Sequence, residues 1–245
     1  MSQTVSFSLQ PEVQLRFLNP NDIDEVKTLC QDWFPIEYPD SWFQEITSNA
    51  KFYSLAATYD CRIIGLIVCE VKSRTKCNKE DADLLSSNSS SGVHVAYILS
   101  LGVLKDFRRQ GIASLLLDSL VSYLTTNEQH NCRVVYLHVL TTNAAAIRFY
   151  EQRNFKMHNY LPYYYSIKGK PRDGYTYALY INGGQPPWTF TLSLTIYTDY
   201  IKHVGHLLSK LQPCTLPQRL LRSAQSMWKI VTGKTSHSKT VIFSV

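Results

Sequence analysis

The sequence lacks any arrangement of cysteine and histidine that is typical of a metal site. Its six cysteines include no Cys-x-x-Cys pair and no Cys/His spacing of the zinc-binding kind, so we expect no metal. No run of about 18 apolar residues is present, and no bilayer-spanning helix is expected. The segment from Met1 to Ser6 is neither basic nor strongly apolar, so no secretory signal is expected. We therefore predict reduced thiols, with Cys69 and Cys132 in the core.

The excess positive charge is confined to the last part of the chain. The 245 residues carry a formal net charge of +6. Residues 186–245 contain seven basic side chains and one acidic side chain, and residues 1–185 contain 18 of each sign. The charge therefore indicates an anionic partner for residues 186–245, whereas the balanced charge of residues 1–185 indicates no particular partner.

Two amphipathic segments carry this charge. Apolar residues recur at helical spacing from Tyr197 to Leu211 and again from Leu220 to Val231, with Trp228 in the second segment. Such segments bind an anionic membrane surface by burying apolar side chains and by attracting its charge. Nucleic acid is a competing partner, but the apolar faces count against it. Helices that simply pack on the domain are a third interpretation.

Apolar periodicity predicts an α/β domain over residues 13–182. Strands and helices follow the order β-α-α-β-β-β-α-β-α-β-β, which is typical of a mixed twisted sheet flanked by helices. Residues 1–12 are expected to form a flexible arm, and residues 183–245 a basic amphipathic helical tail that binds membranes.

Capping residues and polar composition add local detail. Asn21 or Asp22 is expected to cap the first helix, and Asp40 or Ser41 the second. Residues 72–92 are polar and rich in serine, with few apolar anchors. We interpret them as a mobile insertion, with a turn of helix from Asp81 to Leu85 as the alternative.

A strand, a short turn and a helix follow one another between residues 93 and 124. The turn contains Arg108 and Gly111 in the pattern Arg-x-x-Gly-x-Ala. Glycine has no Cβ, so a ligand can approach its backbone, and the first free N–H groups of the helix point at that ligand. These donors and the helix dipole suit a pyrophosphate. From charge alone, a solvated helix start explains Arg108 and Arg109 equally well.

A second constellation lies further along the chain. It consists of an apolar strand over residues 134–139, a helix from Asn143 to Glu151, and Phe155. Together with the Arg-x-x-Gly-x-Ala turn, it resembles the GNAT superfamily of N-acetyltransferases over residues 13–182. The resemblance implies the GNAT fold and acetyl-CoA as co-substrate.

The resemblance also implies which residues contact acetyl-CoA. It assigns the pyrophosphate to the turn that opens the helix, and the pantetheine to the preceding strand and to Asn143. It makes Tyr150 the acid beside the leaving thiol. The full set is Leu101, Gly102, Val103, Arg109, Gln110, Gly111, Ile112, Ala113, Ser114, Asn143, Tyr150, Glu151, Gln152 and Arg153.

Acetyl transfer to an amine needs a group that removes a proton from the nucleophile. Tyr97 and His138 are the candidates, because they lie in the two strands that would flank the thioester. An α-amino group has a pKa about two units below that of lysine, so a modest base acting through water is sufficient. A core tyrosine and a hydrogen-bonded core histidine are the structural alternatives. The joint placement in the two motif strands favours catalysis.

Three further segments, residues 33–39, 136–143 and 160–165, resemble the Golgi-associated N-alpha-acetyltransferases of the NatF type. That family acetylates protein N-termini of the Met-Leu, Met-Ile, Met-Phe, Met-Tyr and Met-Lys kinds, and lysines of histone H4 have also been described as its substrates. The resemblance implies a peripheral protein on the cytosolic face of the Golgi membrane, and a homodimer through the Tyr-rich hairpin.

Aromatic residues supply a candidate pocket for the substrate N-terminus. The predicted substrate-binding residues are Phe34, Pro35, Tyr38, Leu99, Tyr164 and Tyr165. The alternative is that the tyrosines only pack the hairpin. Two rival functions stay open: a lysine acetyltransferase, and a catalytically silent acetyl-CoA-binding scaffold on a membrane.

Overall fold

The described residues of the computed structural model, 12–35, 38–86, 92–126 and 131–187, fold around one sheet of seven strands. The strands are β1 (Gln14–Phe17), β2 (Phe52–Tyr59), β3 (Arg62–Ser73), β4 (His94–Val103), β5 (Cys132–Leu140), β6 (Lys156–Ile167) and β7 (Lys170–Tyr180). The helices are α1 (Ile23–Trp33), α2 (Asp40–Ser48), α3 (Ile112–Thr126) and α4 (Ala144–Glu151). The predicted order of strands and helices is confirmed.

The sheet is mixed and has helices on both faces. Its strand order is β1-β2-β3-β4-β5-β7-β6, and only β4 and β5 are parallel. Helix α3 makes the crossover that parallel neighbours require. Side chains that alternate along the strands form two buried clusters, one with α1 and α2 and the other with α3 and α4.

Strands β4 and β5 separate halfway along their length. Their pairing ends at Tyr97 and Tyr136, although β4 continues to Val103 and β5 to Leu140. A bulge at Leu99 in the pairing with β3 bends β4 at this point. Within the described ranges, no strand pairs with this edge of β4 beyond Tyr97. The separation therefore leaves an opening between the two faces of the sheet.

The predicted capping bond of the first helix is wrong, although Asp22 occupies the predicted N-cap position of α1. The side chain of Asn19 accepts a backbone N–H instead, and it caps a short 3₁₀ turn, Pro20–Asp22, before α1. Both carboxylate oxygens of Asp22 instead accept from the guanidinium of Arg16 at 2.8 Å. This bond lowers the pKa of Asp22.

The predicted cap of the second helix is also wrong. Helix α2 begins at Asp40 itself, and Pro39 occupies the N-cap position with an extended backbone and no side-chain bond. Asp40 forms an ion pair with Lys27 of α1. The acidic side chain therefore ties the two helices together and does not cap the second one.

Residues 72–86 are anchored to the domain, so the predicted mobile insertion is wrong for this part. Leu84 and Leu85 are buried in the core against α1 and α2. Asp81 is also buried, although it carries a carboxylate. Residues 87–91, the remainder of the predicted insertion apart from Gly92, lie outside the described residues.

The predicted arm over 1–12 and the predicted tail over 183–245 lie mostly outside the described residues, which exclude 1–11 and 188–245. Both stay predictions. The chain is fixed to the domain shortly before it leaves the described part, because the side-chain amide of Asn182 donates to two backbone carbonyls of the domain.

Two other expectations concern the described part of the chain. Its five cysteines are all unpaired, and Cys69 and Cys132 are fully buried, as predicted. No helix in the described ranges is long and apolar enough to cross a membrane.

Candidate active site

Four buried side chains converge where β4 and β5 separate. Nδ1 of His138 lies 3.0 Å from the hydroxyl oxygen of Tyr97 and 2.7 Å from that of Tyr164. Nε2 of the same ring lies 2.8 Å from Oδ1 of Asp81. None of the four residues is more than 5% exposed. The two residues predicted to be catalytic, Tyr97 and His138, are therefore in direct contact.

The partners of His138 determine which of its nitrogens is basic. In the tautomer that carries its proton on Nε2, the ring donates a hydrogen bond to Asp81, because an ionised carboxylate only accepts hydrogen bonds. Nδ1 then holds a lone pair, which faces the hydroxyls of Tyr97 and Tyr164. This pairing of imidazole with carboxylate fixes the tautomer and orients the ring.

Burial keeps the two hydroxyls protonated. Burial raises the pKa of Tyr97 well above its ordinary value, and it raises the pKa of Tyr164 as well. The ring of Tyr97 is held between Tyr136, stacked at 4.8 Å, and Nζ of Lys72, 5.0 Å from the ring centroid. The tyrosines are therefore suited to donate or relay a proton and not to act as phenolate bases.

Asp81 is the residue of this cluster that the sequence analysis missed. It lies in a polar segment, and 57 positions separate it from His138 along the chain. The only sequence signal is the apolar pair Leu84 and Leu85 shortly after it, which indicates that the segment is buried.

The predicted substrate-binding residues lie around the same cluster, with one exception. Five of them belong to the buried cluster that also contains Tyr97, or pack against it: Phe34, Tyr38, Leu99, Tyr164 and Tyr165. Aromatic rings dominate this side, with Phe34 at 6.1 Å from Tyr38 and Tyr38 stacked on Trp42 at 4.1 Å. Pro35 is exposed and is not part of the cluster.

A basic cleft lies on the other face of the sheet, between the start of α3 and α4. Its volume is about 420 Å³. Four arginines line it: Arg108, Arg109, Arg148 and Arg153. The other lining residues are Val103, Phe107, Gly111, Ile112, Ala113, Ser114, Ala145, Phe149 and Gln152. This concentration of positive charge suits the phosphate groups of a nucleotide.

The turn at Gly111 is open, as a ligand site requires. Its φ is +86°, and a Cβ added there would meet no atom within 4 Å. The first N–H of α3 that bonds within the helix is that of Leu115, which donates to Gly111. The preceding N–H groups, from Ile112 to Ser114, are therefore available to an anion at the end of a helix of 15 residues.

Arg153 connects the two sides of this cleft. Its guanidinium donates to the hydroxyl of Ser114 in α3 and lies 3.9 Å over the ring of Phe149 in α4. Arginine typically stacks its planar guanidinium on an aromatic ring and donates hydrogen bonds within the plane of that group. The contact holds the charge at the mouth of the cleft.

The predicted acetyl-CoA residues divide into two groups. Those that line the cleft are Val103, Arg109, Gly111, Ile112, Ala113, Ser114, Gln152 and Arg153. Three others have structural partners for their side chains. Asn143 caps α4, Glu151 accepts from the hydroxyl of Tyr177, and Gln110 donates to a backbone carbonyl. Their side chains do not line this cleft, and their contact with acetyl-CoA stays a prediction.

Leu101, Gly102 and Tyr150 are also outside the lining of the cleft. Leu101 is buried on the α3 side of β4. Gly102 faces α1, where an added Cβ would lie 2.2 Å from the indole ring of Trp33, so its small size serves packing. Tyr150 is fully buried, and its hydroxyl has no hydrogen-bond partner among the described residues. An unpartnered buried hydroxyl fits the predicted position beside a thiol.

Similarity to known sequences agrees with this arrangement. The sequence model of the acetyltransferase (GNAT) family matches residues 23–155. A Danio rerio protein called N-alpha-acetyltransferase 60 is 53% identical, aligned over 98% of this chain and 100% of that protein. An Arabidopsis thaliana protein called histone acetyltransferase MCC1 is 32% identical over 82% of this chain and 83% of its own length.

A solved structure shows the same fold. The crystal structure of Arabidopsis thaliana NAA60 in complex with acetyl-CoA has a TM-score of 0.64 and 32% sequence identity, and covers 70% of this chain and 100% of that chain. The family match spans more than half of this chain, and the Danio rerio relative aligns with nearly all of it. The chain therefore belongs to the GNAT acetyltransferase family, among the relatives of N-alpha-acetyltransferase 60.

Proposed function

We propose that this protein transfers the acetyl group of acetyl-CoA to the α-amino group of protein N-termini. The observation that carries the proposal is the hydrogen-bonded set of Asp81, His138, Tyr97 and Tyr164 at the separation of β4 and β5. An aromatic cluster lies on one side of this point, and a basic cleft on the other.

The basic cleft binds acetyl-CoA, which supplies a thioester with an acyl carbon open to attack. The N–H groups at the start of α3 and the side chain of Arg109 hold its pyrophosphate. The open edge of β4, over Leu101 to Val103, offers backbone groups to its pantetheine in the manner of an added strand. The unpartnered hydroxyl of Tyr150 lies in the same buried layer and is available to the leaving thiol.

His138 acts as the proton acceptor. Nδ1 takes a proton that leaves the amine through the hydroxyl of Tyr97 or Tyr164, or through a water at their position. Asp81 stabilises the positive charge that develops on the imidazole, because its carboxylate already holds Nε2–H. The neutral amine attacks the acyl carbon and becomes cationic; removal of this proton prevents its expulsion, so that the C–S bond breaks instead.

The choice of an α-amine over a lysine follows from acidity. An α-amino group has a pKa of about 8, so roughly a quarter of it is neutral at about pH 7.5, whereas the neutral fraction of lysine is about 0.1%. The phenols and the imidazole at the site are suited to a nucleophile that needs little activation. The aromatic cluster around Phe34 and Tyr38 suits an apolar first side chain such as methionine.

A peptide assay tests this function. The full chain is incubated with acetyl-CoA and a Met-Leu or Met-Lys peptide, and the site of the added acetyl group is located by mass spectrometry. We expect acetylation of the α-amine of the free peptide. A peptide with a blocked N-terminus should be acetylated at only a small fraction of that rate. No mass gain on either peptide would support the silent scaffold.

Lysine acetylation is the second candidate. It is favoured by the 32% identity to the Arabidopsis thaliana protein named as a histone acetyltransferase. A histone H4 tail peptide with a blocked N-terminus isolates this activity. Acetylation of the blocked peptide at a rate equal to that of the free peptide would make the lysine reaction the main one.

We propose a peripheral location on the cytosolic face of the Golgi membrane for the full chain. The amphipathic pattern and the charge of residues 188–245 support it. The test is co-sedimentation with phosphatidylserine vesicles, where a chain that ends at Pro187 should no longer pellet. Pelleting of the shortened chain would refute the assignment, and binding of the full chain to DNA but not to vesicles would favour nucleic acid.

We propose, finally, that two copies associate through the hairpin of β6 and β7. Edge strand β6 exposes three large side chains, those of Met157, Tyr160 and Tyr163. Exposed apolar groups on an edge strand favour association. Analytical ultracentrifugation of the full chain and of Tyr163→Ser tests this, with a shift towards monomer expected for the variant.

A further inference from the structure

The hairpin of β6 and β7 contains a bulge of unusual size. Three residues of β6, 162–164, lie opposite one residue of β7, Asp173. In a regular strand successive side chains point to opposite faces of the sheet, so Tyr164 and Tyr165 would not share a face. Here both belong to the buried cluster on the side of α1 and α2, while Tyr163 is 75% exposed. The bulge therefore turns two successive tyrosines into the core.

Asp173 holds this bulge in place with its carboxylate. Oδ1 accepts the backbone N–H of Tyr163 at 2.8 Å, and Oδ2 accepts the hydroxyl of Tyr160 at 2.7 Å. Tyr163 has a φ of +53°, a left-handed conformation that costs about 1 to 2 kcal/mol for a residue with a Cβ. A conformation of this kind persists where surrounding contacts compensate for it, and the bond from Tyr163 to Asp173 is such a contact.

The backbone of Asp173 connects the bulge to the active-site end of β5. Its carbonyl accepts the N–H of Thr141 at 3.1 Å, three residues beyond His138. This arrangement places the hydroxyl oxygen of Tyr164 at 2.7 Å from Nδ1 of His138. The hydroxyl oxygen of Tyr97 is slightly further from the same nitrogen, at 3.0 Å. The bulge thus determines where one of the two hydroxyls at Nδ1 lies.

We propose that Asp173 is a positioning residue for acetyl transfer, which it supports by holding the bulge that brings the hydroxyl of Tyr164 to His138. The inference rests on the proposed function. None of the hydrogen bonds of Asp173 within the described ranges involves His138. Its effect on the reaction therefore passes through Tyr164.

Loss of the carboxylate has a defined structural consequence. The N–H of Tyr163 loses its acceptor in the protein, and the left-handed backbone loses the contact that compensates for it. Strand β6 relaxes towards regular pairing, in which Tyr164 turns away from His138. The basic cleft is formed by α3, α4 and the loop between β4 and α3, so acetyl-CoA binding is not affected.

The first experiment compares Asp173→Ala with Asp173→Asn in the full chain, using a Met-Leu peptide and acetyl-CoA. We expect Asp173→Ala to lower kcat by at least about tenfold, with the KM for acetyl-CoA within about twofold of wild type. Asp173→Asn keeps an oxygen that accepts from Tyr163, so it should retain most of the activity. Arg172→Ala, on the next and exposed residue of β7, is the matched control and should match wild type.

The second experiment asks whether the effect acts through the bulge. Glycine adopts left-handed angles without penalty, so Tyr163→Gly should restore much of the kcat lost in Asp173→Ala. Adding Tyr164→Phe to Asp173→Ala should reduce kcat by no more than about twofold beyond the more severe single variant. A general loss of stability would lower the melting temperature, show no rescue by glycine, and give multiplicative losses in the double variant.

The outcomes distinguish a failure of the positioning role of Asp173 from a failure of the proposed function. If the wild type is active and Asp173→Ala has the same kcat, the positioning role is overturned and the proposed function is left intact. An inactive wild type overturns the proposed function itself. If Asp173→Ala does not fold, Tyr160→Phe removes one of the two side-chain bonds. It should lower kcat by about threefold with an unchanged KM for acetyl-CoA, and an unchanged kcat overturns the role.

Discussion

The chemistry of His138 is determined by the residue behind it as much as by those in front of it. Asp81 occupies Nε2, so the lone pair of the imidazole lies on Nδ1, the side that faces Tyr97 and Tyr164. An imidazole without this partner would populate both tautomers and rotate more freely. In the proposed reaction, a buried carboxylate in a polar loop thus sets the direction of proton transfer.

The first prediction concerns this pair. His138→Ala should lower kcat by about 10² to 10⁴-fold, because it removes the proton acceptor, and acetyl-CoA binding should persist because the basic cleft is unchanged. Asp81→Asn keeps the shape but no longer enforces the tautomer, and should lower kcat by about 10 to 100-fold. Steady-state kinetics and calorimetric titration with acetyl-CoA measure both effects. Loss of acetyl-CoA affinity in either variant would contradict the assignment.

A second prediction concerns stability and pH. The bond to Arg16 lowers the pKa of Asp22 in the folded state, so this carboxylate stabilises the fold above its unfolded pKa of about 4. That contribution disappears as the pH falls through the lower, folded pKa. Asp22→Asn should therefore reduce the free energy of unfolding by about 1 kcal/mol at neutral pH, with a difference that shrinks below about pH 4.

The measurement is urea unfolding of wild type and variant at several pH values. Asp24→Asn is a suitable control, because Asp24 is an exposed residue in the first turn of the adjoining helix α1. It should change stability by only a few tenths of a kcal/mol. A pH-independent difference for Asp22→Asn would show that the ion pair is not its source.

At the scale of elements, the turn that opens α3 gives a third prediction. Gly111 and Gly169 both have positive φ values, +86° and +73°, and an added Cβ would meet no protein atom at either position. Alanine should therefore strain both turns by a similar amount, about 1 kcal/mol. Only Gly111→Ala should raise the KM for acetyl-CoA, by at least about tenfold, because only that Cβ would meet the ligand.

Melting temperatures and initial rates of the two variants provide the comparison. Equal losses of stability with a KM effect confined to Gly111→Ala support the ligand position at the start of α3. Equal KM values for acetyl-CoA in both variants would show that the pyrophosphate does not bind at this turn.

Local patterns were sufficient to predict the elements of the sheet, since alternation and helical spacing reveal which residues of a segment are buried. The same patterns failed for residues 72–86, where polar composition indicated mobility. The burial of Asp81 depends on His138, and no local pattern records a partner so distant in the chain. The β6 bulge was missed for a similar reason, because Asp173 compensates for the strained backbone of Tyr163 across the hairpin.

Sequence motifs predicted the part of the site that is built from backbone groups better than the part that is built from side chains. Gly111 and the start of α3 follow from a turn motif, and they line the cleft as expected. Asn143 and Glu151 were assigned to the same ligand from their position in a motif. Their side chains accept hydrogen bonds from the backbone of α4 and from Tyr177, partners that the motif does not record, and their contact with acetyl-CoA stays a prediction.

At the scale of the whole molecule, the described residues contain both buried clusters, the four residues proposed to be catalytic and the basic cleft. The fourth prediction follows from this. A chain that ends at Pro187 should fold and should acetylate a Met-Leu peptide with a kcat/KM within about threefold of the full chain. Circular dichroism and the peptide assay test it. A loss of more than about tenfold would mean that residues 188–245 contribute to catalysis.

The contact between Trp33 and Gly102 connects the proposed peptide site with the proposed pantetheine site. The indole ring lies against the backbone of β4, and the next residue, Phe34, begins the aromatic cluster proposed to receive the peptide. A peptide that presses on this cluster also presses on the strand proposed to lie along pantetheine. We expect heterotropic cooperativity: each substrate should bind more tightly in the presence of the other, by the same factor in both directions.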